Sequence, residues 1–331
     1  MKRVRSLAIW GVKIGCTAGL LAYLFHKIPL AEVFQSIASA DIAFFVLSSA
    51  ALLLMRFLAA QRMKLLASVH GIKLRAADIF EINVVSSYYG LLLPGSLAGG
   101  AVRWYKLSRH QQQGGGALAA IAFDRMSEII AMLGLGCLFW LIDAPSSRVY
   151  PAGLGLLAAF LLFFGIVFTA FHAQGFRLMS PIRRLSRLFL AAPLAAPLRA
   201  PLEKLSAAMQ QYLGLSIGFF LKIAAWSIAS QLAGTFSFVW LARSLDLHAP
   251  AVAIGWIRVY AVLLTMLPIS ISGLGVREGA LVLMLAPYGD TGANAMALSF
   301  LRLAGTLLIA GIGGLYELRR AIFHHPAAGM R

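Results

Sequence analysis

Long apolar runs set the predicted elements of this chain. A helix needs about 20 mostly apolar residues to span the hydrocarbon of a bilayer. Six runs qualify, at 7–25, 42–60, 117–142, 150–171, 215–242 and 293–318. Each predicts one transmembrane helix. Two more runs, at 79–109 and 252–287, are apolar but interrupted near the middle by Pro and Gly. Proline lacks an N–H donor and clashes with the preceding turn, so it ends a helix. The pieces on either side, roughly 15 and 10 residues long, would reach only about 22 and 15 Å. Each interrupted run therefore predicts two half-helices around a break.

The polar gaps give the orientation. Lys2, Arg3 and Arg5 precede the first run, and Arg62, Lys64, Lys73 and Arg75 follow the second. Lys106 and Arg109 precede the third. Arg177, Arg183, Arg184, Arg187, Arg199 and Lys204 lie between the fourth and fifth, and Arg319, Arg320 and Arg331 follow the last. The alternate gaps hold only Lys27, Arg148 and Arg243. Basic residues collect on the cytoplasmic side, so both termini are predicted there. The first interrupted run then begins and ends at the cytoplasmic face. The second begins after Arg243 and ends at Asp290, both external. Two re-entrant hairpins from opposite faces satisfy this, because irregular backbone survives at membrane depth when buried in protein or lining a wet cavity. Two ordinary crossings within each run satisfy the same sidedness. Residues 172–214, rich in Pro and Arg, predict a basic, interfacial, partly helical cytoplasmic linker.

The two breaks resemble each other. LPGSLAGGAVR at 93–103 and LPISISGLGVR at 267–277 share Leu, Pro, Ser, Gly, Val and Arg at an offset of 174. Phe123, Arg125, Gly134 and Gly136 recur as Phe300, Arg302, Gly311 and Gly313 at an offset of 177. The repeat unit is span, hairpin, span, covering 42–142 and 215–318, with one copy inverted relative to the other. The predicted fold is an all-α membrane protein, one transmembrane domain over 1–331. It has six transmembrane helices and two re-entrant broken-helix hairpins, eight membrane elements in an inverted repeat. Inverted repeats whose broken helices meet near the midplane are a transporter arrangement.

Composition removes the competing classes. Of 331 residues, 60% are apolar and 12% charged, and the mean hydropathy is +0.82. Soluble domains run at about 45–50% apolar and about 25% charged. A soluble globular domain, a disordered chain and a disulfide scaffold are excluded. The net charge of +17 would suggest nucleic acid in a soluble chain. Here the cations fall in predicted cytoplasmic loops, where they meet anionic lipid, and no nucleic-acid partner is expected. Cys16 and Cys137 sit inside apolar runs and support neither a disulfide framework nor a metal site. No cofactor or metal is expected, and no P-loop is present.

Candidate chemistry sits at the breaks. Pro94 and Pro268 end the first half-helices, and Gly99, Gly273 and Gly275 permit the turns. The half-helix that follows each break directs free N–H groups and a positive dipole end toward it, which favours an anion. Arg103 and Arg277 stand beside those breaks, with Ser96, Ser270 and Ser272 placed to touch a ligand or to cap the free N–H groups. Arg56, Asp124, Arg125, Glu128, Glu278 and Arg302 also lie within apolar runs. An intramembrane charge costs about 2.5–3.5 kcal/mol even on the insertion scale, so such groups must face the interior, pair or meet water. Asp124 and Glu128, four apart, share a helix face. Arginine–carboxylate pairs of this kind serve equally well to pin helices together.

These motifs also resemble a family. LPGSLAGGAVRWYKLSR, AFDRMSEII and LPISISGLGVREGALVL are similar to the flippase-like integral membrane family that includes the transmembrane region of lysylphosphatidylglycerol synthase. The resemblance runs over about 56–316. It implies an inner-membrane protein that moves modified or glycosylated lipids between leaflets. It also implies roles for Pro94, Gly95, Ser96, Gly99, Arg103, Asp124, Arg125, Pro268, Ser270, Gly273, Gly275, Arg277 and Glu278. The family's Gly-Gly-Asp is Gly-Gly-Ala here, ending at Ala101. Nothing after the last run resembles a soluble aminoacyl-transfer domain, so lysyl-lipid synthesis is not expected.

The sequence thus predicts a lipid flippase or transporter whose partners are the bilayer and a phospholipid or lipid-linked substrate. An enzyme of lipid-phosphate chemistry, or a non-transporting partner of a lipid-modifying enzyme, are the alternatives.

Overall fold

A computed structural model of the chain describes residues 2–92, 98–109, 114–143, 150–171, 208–212, 214–266, 270 and 273–323. Pro94, Ser96, Pro268, Ser272 and most of the 172–214 linker lie outside the described residues.

Every described element is helical. In chain order these are α1 (Lys2–Lys27), α2 (Leu30–Ala38), α3 (Ile42–Val69), α4 (Ala76–Leu92), α5 (Ala98–Ser108) and α6 (Gly114–Ile142), then α7 (Tyr150–Phe171), α8 (Ile217–Ser244), α9 (Ala251–Met266), α10 (Val276–Leu285) and α11 (Gly292–Phe323). A helix forms at each of the six predicted spans. The helices α3, α6, α8 and the Gly292–Arg320 part of α11 are long and apolar enough to cross a membrane. Each interrupted run folds as two shorter helices, α4 with α5 and α9 with α10.

Two details depart from the sequence expectation. The gap after α1 is not a plain loop: Pro29 stops α1, and the nine-residue α2 follows. And α3 runs nine residues past its predicted end, so Arg62, assigned above to a cytoplasmic loop, is a helical residue that is 1% exposed. The other cations counted for that side of the sequence still outnumber those of the alternate gaps. Asp41 starts α3 by accepting the Ala43 N–H on Oδ1 at 2.7 Å, a carboxylate cap at a helix N-terminus. The Ala67 carbonyl ends α3 by accepting the N–H groups of His70 and Ile72.

The chain clusters into two compact units. The first comprises Met1–Leu53, Met132–Ala158 and Leu232–Leu307; the second comprises Leu54–Ala131, Ala159–Gln231 and Leu308–Arg331. The divisions fall inside α3, α6, α7, α8 and α11. In the first unit, Trp256 is fully buried on α9, and its indole Nε1 donates to Asp143 at the end of α6 (3.0 Å). The core of the second unit gathers Met63, Leu66, Ile72, Ile79 and Leu107 with Phe123 and Tyr212.

Tyr212 ties the end of the linker to the end of α3. Its hydroxyl donates to the Leu66 carbonyl at 3.0 Å, so the His70 Nε2 that lies 3.0 Å away must be the donor to it. Burial holds the His70 imidazole below its ordinary 6.5, opposed by a hydrogen bond with the Gln211 side chain. The folded protein thus favours neutral His70, and its contribution is complete above the unfolded value and lost as pH falls through the folded one. Wild type is expected to lose melting temperature on acidification below pH 6.5, and His70→Phe to lose less. Melting curves of both proteins across that range check this.

Large apolar side chains point outward on the long helices. Leu54 and Phe57 on α3, Leu138 and Leu141 on α6, Leu161 and Leu162 on α7, and Leu307 and Leu315 on α11 are all exposed. Monomeric soluble proteins do not leave such continuous apolar surface in water; hydrocarbon covers it at no cost.

Candidate functional site

In the second unit, charged residues from three helices converge into one network. Asp124 on α6 is its centre. Its Oδ1 accepts from Arg62 Nε at 2.7 Å, and its Oδ2 accepts from Arg103 Nη2 at 2.8 Å. Arg62 Nη1 also donates to Ser227 Oγ on α8 at 3.2 Å. The Ser227 hydroxyl donates its own hydrogen bond to the Ile223 carbonyl, which leaves a lone pair for the guanidinium. One helical turn beyond Asp124, Glu128 accepts from Arg125 Nη1 at 3.0 Å and lies 3.8 Å from Arg62. Arg56 on α3 is within electrostatic range of Glu128, Arg125 and Arg103. Exposure rises outward through this network. The Arg62 and Asp124 side chains are 1% and 2% exposed, Arg103 11%, Glu128 29% and Arg125 61%.

The hairpin that carries Arg103 is tightly closed. A Cβ on Gly99 of α5 would sit 2.7 Å from the Ser86 carbonyl oxygen of α4, so only glycine allows this approach. Its neighbour Gly100 meets nothing. The hairpin is also tied to the end of α11, where Lys106 pairs with Glu317 and Glu81 pairs with Arg320 at 2.9 Å.

The second break, in the first unit, uses the same residue types differently. Arg277 Nε donates to Ser299 Oγ on α11 at 2.6 Å, and its Nη2 donates to Glu278 Oε1 at 2.8 Å. Ser299 Oγ donates to the same Glu278 oxygen at 2.6 Å. Glu278 Oε2 reaches back to the Gly275 N–H at 2.6 Å. The anion-favouring start of α10 therefore already holds a carboxylate of its own chain. Gly273 and Gly275 adopt φ of +75° and +83°, the left-handed region that side chains disfavour. Ser270 is 7% exposed, and its hydroxyl has no hydrogen-bond partner among the described residues.

Arg302 Nη1 donates to Ser237 Oγ on α8 at 3.5 Å. Ser237 is shared with Ser48 of α3 at 3.0 Å. Arg258 on α9 donates to Thr235 Oγ1 at 3.4 Å. Sequence reasoning missed these α8 partners, together with Arg62 and Ser299. The signal was present as Ser227, Ser230, Gln231, Thr235 and Ser237, polar residues recurring at helical spacing through an apolar run.

Apolar helices of membrane-spanning length, lipid-suited outer faces and a buried network of intramembrane charges define a multi-pass α-helical membrane protein. A family model, the lysylphosphatidylglycerol synthase TM region, matches residues 8–314. The chain belongs to that family, whose members are membrane domains associated with lipid modification and flippase-like function. No curated protein and no solved structure matches the chain.

Proposed function

We propose that this protein is a lipid flippase of the inner membrane, with both termini cytoplasmic, moving a phosphate-bearing lipid between leaflets by rocking of inverted repeats. The observation that carries the reading is a correspondence of contacts. Each helix that closes a repeat holds the arginine of its own hairpin near one end and packs on the other hairpin near its other end. On α6, Asp124 binds Arg103, while Gly136 packs on Val259 of α9 and Asp143 binds Trp256. On α11, Ser299 binds Arg277, while Gly313 packs on Val84 of α4 and Arg320 binds Glu81. Gly136 and Gly313 are the pair at offset 177, and Asp143 and Arg320 share that offset.

Unit membership supports the re-entrant hairpins. By the charge assignment, α4 and α5 cluster with the cytoplasmic ends of α3, α6, α7, α8 and α11, and α9 and α10 with the external ends of those same helices together with α1 and α2. Each hairpin would then offer a polar site part-way across the membrane, with the lipid tails remaining in hydrocarbon. Arg103 and its network would hold the headgroup. Arg277, matched by Glu278, would fix the start of α10 as a positioning residue.

The test is leaflet exchange of a fluorescent phospholipid in proteoliposomes. Exchange should exceed that of protein-free vesicles and fall by about tenfold or more in Arg103→Ala, the scale of one charge-assisted hydrogen bond. Equal exchange with and without protein would reject transport. Release of phosphate from a polyprenyl diphosphate would instead favour an enzyme.

A further inference from the structure

The two breaks differ in charge balance, and that difference bears on the headgroup. Arg277 and Glu278 form a matched pair, closed by Ser299 and the Gly275 N–H. The Asp124 network is not matched. Four guanidiniums, of Arg56, Arg62, Arg103 and Arg125, gather on two carboxylates, Asp124 and Glu128. Among the described residues, two positive charges are left over. Two donors are also left over: Nε of Arg56 and Nε of Arg103 are both buried without a hydrogen-bond partner among the described residues. A buried donor left unmade is costly, and more so on a charged group. The floor of the network, Arg62 with Asp124, is closed, and its mouth, Arg125 with Glu128, is open.

We infer that the Arg56–Arg103–Arg125 side of this network is a binding site for a phosphate headgroup carrying two negative charges, a phosphomonoester or diphosphate on a lipid. The inference rests on the transport reading for its physiological role, and on the charge and donor count for its ligand. A dianion supplies the missing charge and accepts from both orphaned Nε–H groups. Arginine suits this because its planar donors match phosphate oxygens. A phosphodiester such as phosphatidylglycerol supplies one charge. A lysyl-modified lipid carries net positive charge and would add to the surplus.

The experiment is lipid retention by the full chain in phosphatidylcholine nanodiscs. Each preparation is doped equally with phosphatidic acid, undecaprenyl phosphate, phosphatidylglycerol or lysylphosphatidylglycerol, and read by native mass spectrometry. At least one phosphomonoester lipid should be retained about tenfold over phosphatidylglycerol. Retention of phosphatidic acid alone identifies a glycerolipid, of undecaprenyl phosphate alone a polyprenyl lipid, and of both a site that reads only the headgroup. Arg56→Gln and Arg103→Gln should each remove the preference. Arg125→Gln, at the exposed mouth where folding is least at risk, should weaken it. Arg75→Gln, a surface cation paired with Asp78, should leave it intact. Equal retention of all four lipids, or an equal loss in Arg75→Gln, would overturn the site. Selective retention without leaflet exchange would reject transport and leave the site standing; exchange without headgroup preference would do the reverse.

Discussion

Asp124→Ala is expected to destabilise the protein by about 3–5 kcal/mol, the cost of leaving a buried ion pair without one partner. The side chain accepts from two guanidiniums at 2.7 and 2.8 Å, and Arg62 has almost no exposed surface through which water might replace it. Glu128, at 3.8 Å from Arg62, is too far to take over both bonds. The purified variant should melt well below wild type and elute as aggregate where wild type is monodisperse. Replacing all three partners together, as Arg62→Leu, Asp124→Leu and Arg103→Leu, should recover much of the loss, since apolar residues of similar volume commonly substitute for a buried ion pair or triad without penalty. An Asp124→Ala protein as stable as wild type would mean that Arg62 reaches water.

The second large effect is expected at Gly313, and the contrast is with Gly311 two residues away. A Cβ on Gly313 would lie well inside van der Waals contact with the Val84 carbonyl oxygen, while one on Gly311 meets nothing within 4 Å. Backbone on α4 cannot rotate aside as a side chain can. Gly313→Ala should therefore cost about 1–3 kcal/mol as overpacking. Gly311→Ala should be neutral or stabilising, because alanine is the better helix former by up to about 1 kcal/mol. Melting temperatures of the two variants, measured side by side, decide the matter; equal values would remove α11 as the support of the first hairpin.

Much of the helical layout was legible because hydrocarbon imposes length and apolarity on whatever crosses it. The run at 150–171 coincides with α7, Tyr150–Phe171. The end of α3 was not legible. Arg62 and Lys64 read as loop cations, but both are good helix formers, and no local rule separates a helix leaving the membrane from a loop. The burial of Arg62 depends on Asp124, which is remote in sequence. The shared face of Asp124 and Glu128 followed from their spacing, whereas the surplus of guanidiniums around them required the fold. At the second break, Gly275 and Glu278 have the three-residue separation of a capping box, but with glycine in the Ser/Thr position. The usual sequence signature was missing, so the self-supplied carboxylate went unread.

The two ion pairs between the first hairpin and α11 also fix its register. Glu317 and Arg320 stand about one turn apart with opposite signs, facing Lys106 and Glu81 respectively. A slip of the hairpin by one turn toward the C-terminus would set Lys106 against Arg320, two like charges, and strip Glu81 of its counter-ion. Such one-turn ratchets are an available mode for packed helices, and this polarity opposes one here. The hairpin and the last turns of α11 are therefore keyed to travel as a single piece, so any displacement of that hairpin is delivered directly to the final turns of α11.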